Sequence, residues 1–100
     1  MTKLRVVIHA STGEALVRAR SNARNLIAAR PDCECEIVVN AGAVQAALDD
    51  TDRETDPYLR VCGNTLKAKG LKLPPAIKIV EATIVYLAVR QAEGWSYISA

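Results

Sequence analysis

The chain has 100 residues, half of them hydrophobic, and a formal net charge of +2. This size and apolar content suffice for a single domain, residues 1–100, whose core needs neither disulfides nor a metal. The mild charge and the few aromatic residues (one Trp, three Tyr, no Phe) argue against a stacking platform for single-stranded nucleic acid.

The sequence shows no recognisable membrane-spanning segment or signal peptide. No apolar stretch reaches the roughly 18 residues that cross a membrane, and MTKLRVVIHASTGE lacks the apolar core of a signal peptide. We therefore expect a cytoplasmic protein with no membrane partner. The three cysteines are an odd number, which favours reduced thiols over a disulfide framework.

The first two predicted elements are a strand and a long helix. KLRVVIHA, residues Lys3–Ala10, is rich in β-branched residues and nearly continuously apolar, as expected for a strand covered on both faces. Apolar residues then recur at helical spacing over residues 11–30. Ser11 and Glu14 form a capping-box pattern at the start of this helix, and Pro31 ends it.

The middle of the chain repeats the strand-to-helix alternation. CECEIVVN (33–40) predicts a second strand and AGAVQAALDD (41–50) a short helix. YLRVC (58–62) predicts a third strand, and GNTLKAKG (63–70) a short helix that Gly70 closes.

The acidic segment DDTDRETDP between these pairs predicts a solvated loop. It is not a calcium loop of the EF-hand type. Counting from Asp50, Thr55 stands where the pattern requires Gly, and Val61 where it requires Glu.

The last third predicts two more strands around one helix. AIKIVEA (76–82) is the fourth strand, TIVYLAVRQAEG (83–94) a helix, and WSYIS (95–99) the last strand. Five strands alternating with four helices predict a three-layer α/β/α fold with a mostly parallel five-stranded sheet and right-handed connections. Strand order stays open, because alternation defines the layers and not the neighbours.

In open parallel sheets, ligands bind at the carboxyl ends of the strands, in the loops that lead into helices. We call these loops the carboxyl rim. The polar, glycine and cysteine residues predicted to reach it are His9, Ser11, Thr12, Asn40, Gly42, Cys62, Gly63, Asn64, Thr65, Glu81 and Thr83.

Cys62 is the candidate catalytic residue because it lies where a strand gives way to a helix. A helix N-terminus stabilises a thiolate by about 0.3 to 1 kcal/mol, or up to roughly 2 when partly buried, which corresponds to a pKa lowered by up to about one unit. We expect a solvent-accessible thiol that can carry sulfur or be oxidised. Asn64 and Thr65 either cap the helix or hold a substrate anion. His9 could assist as an acid or base, although a lone histidine at a strand end is more often structural.

Cys33 and Cys35 are two residues apart on a predicted strand, so their side chains point to one face. With Cys62 and His9 they could in principle provide the four ligands of a zinc site. Structural zinc sites usually use wider cysteine spacing, and Cys62 should lie at the opposite end of the sheet. We therefore interpret both cysteines as packed residues and expect no metal and no cofactor.

Three stretches resemble the DsrE/DsrF-like family of small sulfur-relay proteins, and especially its short branch. They are VCGNTLKAKGL, NARNLIAARPDCECEIVVNAGAVQAAL and RQAEGWSYIS, and the most specific parts are CGNTL, the Asn25-Leu26 pair and QAEGWSYI. The resemblance implies a three-layer α/β/α fold, assembly into homotrimers or homohexamers, and a persulfide-carrying cysteine, which Cys62 matches. It also implies sulfur donor and acceptor proteins as partners, which no sequence feature identifies.

Two surfaces bear on other partners. The arginines of the first helix (Arg18, Arg20, Arg24 and Arg30) are typical of a solvated face, and the acidic segment offsets their charge, so we expect no nucleic-acid partner. Val85, Tyr86 and Val89 on the last helix are candidates for a subunit interface.

The sequence leaves three hypotheses for function. The first is a sulfur carrier at Cys62, a sulfurtransferase-type activity. The second is a non-catalytic oligomeric binding or scaffold protein that holds a small ligand or a protein tail at the carboxyl rim. The third is a redox sensor in which peroxide modifies Cys62 before Cys33 and Cys35.

Overall fold

The structure is a computed structural model that describes residues 2–100. Within that range it contains five strands and four α-helices: β1 Arg5–Ala10, α1 Gly13–Ala29, β2 Glu34–Val39, α2 Gly42–Asp49, β3 Leu59–Cys62, α3 Gly63–Lys69, β4 Lys78–Val80, α4 Thr83–Ala92 and β5 Ser96–Ser99. A 3-10 turn, Asp56–Tyr58, precedes β3. No helix in this part of the chain combines the length and the apolar character needed to cross a bilayer.

The five strands form one parallel sheet in the order β4-β3-β2-β1-β5, which confirms the predicted α/β class. From β1 to β4 each new strand is added on the same side of its predecessor. The chain then returns across the sheet through α4 and places β5 beside β1. Because the connections are right-handed, a change in the direction of strand addition changes the face on which the connecting helix lies. Helices α1 to α3 therefore lie on one face of the sheet and α4 on the other.

The α1–α3 face of the sheet carries the larger core. Inward-facing residues of β1 to β3, such as Ile8, Ile37 and Leu59, pack there against Leu16 and Val44 from the helices. Alternation along each strand turns the remaining side chains to the other side.

The α4 face has a much smaller apolar core. It consists of Val7, Val38 and Leu87, with Tyr86 and Trp95 packed against it. The two faces of one sheet therefore differ strongly in how much apolar surface they bury.

Two predicted boundaries are wrong in detail. Thr12, and not Ser11, is the N-cap of α1, and its hydroxyl accepts a hydrogen bond of 3.0 Å from the backbone N–H of Ala15. The fourth strand contains only Lys78–Val80, because pairing with β3 covers three residues and β4 is an edge strand. Gly70 does end α3, in the left-handed conformation.

The acidic segment is not simply a solvated loop, and Arg20 is not on a solvated face. Arg20 is buried and donates to Thr55 Oγ1 at 2.6 Å, to Asp56 Oδ1 at 2.8 Å and to the carbonyl oxygen of Asp50 at 3.1 Å. Arg24 is more exposed and pairs with acidic side chains of the same segment. The segment is therefore held against α1.

Candidate functional site

The carboxyl ends of β3 and β4 form the point where the chain changes direction across the sheet. The helix that follows β3 lies on one face, and the helix that follows β4 lies on the other. The point between diverging connections of this kind is the usual ligand position in open parallel sheets. Cys62 ends β3 and Thr83 begins α4, so these two residues lie at that point.

Gly63 lets the two connections approach closely. A Cβ atom at position 63 would lie 3.1 Å from the carbonyl oxygen of Val80 and 3.2 Å from that of Glu81. The backbone N–H of Asn64 also donates to the Glu81 carbonyl at 3.2 Å. A larger residue at position 63 would push β4 away, so this glycine positions Cys62 against the start of α4.

The Cys62 thiol faces the α4 side of the sheet, because its strand neighbour Val61 packs into the core on the other side. Burial by itself would raise the pKa of Cys62. The pKa is nevertheless lowered, to about 7, because the hydroxyl and backbone N–H groups of Thr83 and Thr65 lie near enough to the sulfur to favour a thiolate.

The Thr83 hydroxyl is free to donate a hydrogen bond to the Cys62 sulfur. It is buried and has no hydrogen-bond partner within residues 2–100. A buried hydroxyl without a partner is costly, and the neighbouring Cys62 sulfur is the acceptor toward which it can turn. The interaction is strongest when the sulfur is a thiolate, because charged acceptors bind donors more tightly.

Thr65 links the thiol to the loop after β2. Its hydroxyl accepts a hydrogen bond of 3.2 Å from the backbone N–H of Ala41, which leaves the hydroxyl proton free to point toward Cys62. Ala41 has φ 49° and ψ −133°, a conformation that non-glycine residues rarely adopt. Backbone strain of this kind is concentrated at functional sites, and sequence reasoning did not single out Ala41.

Two expectations about Cys62 require correction. The thiol is only 5 % exposed and therefore not openly accessible to solvent. The causes of the lowered pKa are the donor groups of Thr83 and Thr65, whereas the sequence predicted the dipole of the following helix. The predicted direction of the pKa change is the same, but its physical cause is different.

His9 and Asn40 form a separate polar group on the same face. His9 Nε2 lies 3.0 Å from Asn40 Oδ1, and His9 Nδ1 lies 2.8 Å from the hydroxyl oxygen of Tyr97. Asn40 follows the end of β2 and is level with Cys62 in the register of the sheet. His9 is on β1, two strands from Cys62, or about 10 Å between backbones. These contacts agree with the structural interpretation of His9.

The other predicted rim residues lie farther from the thiol. Thr12 caps α1, and a Cβ atom at Gly42 would meet the carbonyl oxygen of Ser11 at 3.6 Å, so the starts of α1 and α2 are neighbours. The side chains of Asn64 and Glu81 are exposed. The carboxyl rim therefore contains one compact group around Cys62 and a second group formed by the loops after β1 and β2.

Cys33 and Cys35 lie at the amino end of the sheet, opposite Cys62. Cys35 is buried in the larger core and Cys33 packs against it. Burial, with the nearby Cys33 and Glu36, raises the pKa of Cys35 to about 11. Within residues 2–100 no group of three or more His, Cys, Asp or Glu side chains is placed to hold a metal ion.

A buried ion-pair network that sequence reasoning missed fixes α4 to the sheet. Glu36 is buried on β2 and accepts hydrogen bonds from Tyr86 Oη at 2.5 Å and from Arg90 at 2.9 and 3.0 Å, while Arg60 Nε lies 3.4 Å away. Burial would raise the pKa of Glu36, but these partners hold it below its usual range. Arg90 also stacks over the ring of Trp95. The sequence did contain an indication of this network, since Glu36 is a charged residue within a strand that was predicted to be covered on both faces.

Comparisons with known proteins support the fold. No protein-family model matches the chain, and no curated protein matches it. Among solved structures, the chain is similar to MTH1491 from Methanobacterium thermoautotrophicum, described as a protein of unknown function. The TM-score is 0.84 at 27 % sequence identity, and the match covers 98 % of this chain and 100 % of that one.

Proposed function

We propose that this protein is a small sulfur carrier in which Cys62 accepts and hands on a persulfide sulfur. The observation that carries the proposal is the buried Thr83 hydroxyl near Cys62, which has no hydrogen-bond partner within residues 2–100 and favours the thiolate. With a pKa of about 7, half of the thiol would be ionised at neutral pH, compared with a few per cent of an ordinary cysteine.

The proposed transfer changes no net oxidation state. The Cys62 thiolate attacks the outer sulfur of a donor persulfide, a new S–S bond forms, and the donor S–S bond breaks to release the donor thiolate. The proton stays on the transferred sulfur. An acceptor thiolate then attacks that outer sulfur and releases Cys62 as a thiolate. A pKa near ambient pH suits both steps, because Cys62 must attack and later leave.

The resemblance to the DsrE/DsrF-like family supports the same chemistry. Cys62 matches the position of the persulfide-carrying cysteine, and CGNTL also contains Gly63, where the chain passes close to β4, and Thr65, whose donor groups favour a Cys62 thiolate. The resemblance also implies a homotrimer or homohexamer, with sulfur donor and acceptor proteins as further partners.

A second candidate function is the oligomeric binding or scaffold protein, and the outer surface of α4 favours it. Ile84, Val85 and Val89 are between 49 % and 77 % exposed, which is unusual for large apolar side chains grouped on one helix. Tyr86, which was expected on the same surface, instead turns inward to Glu36. In this alternative Cys62 has no chemical role.

Persulfide uptake separates the two candidates. The purified protein is incubated with glutathione persulfide and its intact mass is measured before and after reduction. We expect a gain of one sulfur atom that reductant removes, that Cys33→Ser retains and that Cys62→Ser abolishes. An unchanged mass in the wild-type protein, or a gain that persists in Cys62→Ser, would contradict the sulfur-carrier proposal.

A further inference from the structure

A cleft of about 580 Å³ lies beside α3, on the α1–α3 face of the sheet. Its apolar walls come from Leu66 on α3, from Leu71 and Leu73 in the following loop, and from Ile79 on β4. Ile79 is 57 % exposed, although it is a β-branched residue in a strand. The cleft therefore presents apolar surface that residues 2–100 do not cover.

The cleft is bordered by positive charge. Lys67 and Lys72 line it, and the sequence contains no Asp or Glu between residues 57 and 80. Neither lysine takes part in the ion pairs formed by residues 2–100. Uncompensated lysines around an apolar floor favour a ligand that is both apolar and anionic.

The strand beside the cleft has an open edge. In the sheet of residues 2–100, β4 is the last strand on its side, so its outer backbone groups have no strand neighbour. An exposed edge of this kind can accept an extended peptide as an additional strand, with backbone hydrogen bonds for affinity and a neighbouring pocket for side-chain specificity.

We propose that this lysine-bordered cleft is a docking site for a short acidic segment of a partner protein. The segment would extend along β4, insert an aliphatic side chain against Leu66 and Ile79, and place carboxylates near Lys67 and Lys72. A small metabolite fits the site less well, because the lysine ammonium groups are the only polar side chains among the lining residues.

The docking proposal does not depend on the sulfur-carrier proposal. The Cys62 thiol faces the other side of the sheet, and the two sites meet at Gly63, which lines the cleft and follows Cys62 in the chain. If both proposals hold, a docked partner is held at the boundary of the thiol site. The docking experiment therefore uses the Cys62→Ser protein, in which transfer to this thiol cannot contribute.

The probe is a short fluorescein-labelled peptide of alternating leucine and glutamate, and binding is followed by fluorescence anisotropy. We expect saturable binding that weakens with added salt and falls about tenfold in Lys67→Glu/Lys72→Glu. The control Lys3→Glu/Arg18→Glu makes the same change in net charge at exposed positions elsewhere and should bind nearly as the parent does. A peptide of alternating leucine and lysine should not bind.

Three results would overturn the proposal. The first is no saturable binding of the acidic peptide up to about 1 mM, the weakest affinity of interest here. The second is equal loss of binding in the cleft variant and the control variant, which would show a nonspecific charge effect. The third is binding of vesicles rich in anionic lipid without binding of the peptide, which would assign the lysines to a membrane surface.

Discussion

The two faces of the sheet differ in what holds their helices. On the α1–α3 face, aliphatic side chains from three strands and three helices form one continuous core. On the α4 face, the buried apolar residues within residues 2–100 are Val7, Val38 and Leu87, and the buried carboxylate of Glu36 accepts hydrogen bonds from Tyr86 and Arg90 of the helix.

The two faces therefore differ in their expected roles, one in the stability of the fold and the other in the candidate site. Apolar burial contributes most of the favourable free energy of folding, so the α1–α3 face should dominate stability. The α4 face carries Cys62, Thr83 and the His9 group, whereas the buried polar network around Arg20 on the other side holds the acidic segment against α1. The site thus occupies the face that contributes less to the apolar core.

The largest expected effect tests the difference in packing. Ile37→Ala removes a fully buried side chain from the larger core and should cost roughly 2 to 5 kcal/mol of unfolding free energy, near the upper end. Leu87→Ala should fall near the lower end of that range, because its pocket lies close to solvent and can partly collapse. Urea denaturation measures both values. An equal or larger loss for Leu87→Ala would contradict the proposed division between the faces.

A smaller effect tests the ion-pair network. Glu36→Gln should destabilise the protein by about 1 to 3 kcal/mol, because it leaves Arg90 and Arg60 without their carboxylate, although Arg90 can partly rehydrate. Glu34→Gln is the matched control on the same strand, since Glu34 pairs with Arg5 at the surface and should lose at most about 1 kcal/mol.

The effect of Glu36→Gln should also depend on pH. The pKa of Glu36 is lower in the folded protein than its value of about 4.3 in an unfolded chain. Its contribution is therefore complete above that value and is lost as the pH falls through the folded pKa. The stability difference between wild type and Glu36→Gln should shrink below about pH 4. A difference that stays constant from neutral to acidic pH would show that the charge of Glu36 is not what stabilises α4.

Much of the fold could be predicted from the sequence, because hydrophobic periodicity depends on local spacing. The alternation of strands and helices and the ends at Pro31 and Gly70 follow from residues that are neighbours in the chain. Strand order could not be predicted, because it depends on which crossover packs best in three dimensions. The burial of Arg20 had a signal, since Arg20 shares a helical face with Leu16 and Ala23.

The candidate site was predictable only as a set of loops. The rule for parallel sheets brought Cys62 and Thr83 to one edge, but their contact depends on β3 and β4 being neighbours. The burial of Cys62 and the strained backbone of Ala41 could not be predicted from the sequence. Both arise where segments that are distant in the chain approach each other closely.

The most direct test of the site is the rate at which iodoacetamide modifies Cys62 across a pH series, with peptide mapping to separate it from the other two cysteines. We predict an inflection near pH 7 that Thr83→Val moves toward the ordinary value of about 8.5. At about pH 6, where the thiol is protonated, Thr83→Val should not reduce stability, because the hydroxyl it removes has no hydrogen-bond partner in the described residues. Above about pH 7 it should lose the stability that the lowered pKa of Cys62 contributes. An inflection near 8.5 in the wild-type protein, or one unchanged by Thr83→Val, would contradict the account of the thiolate.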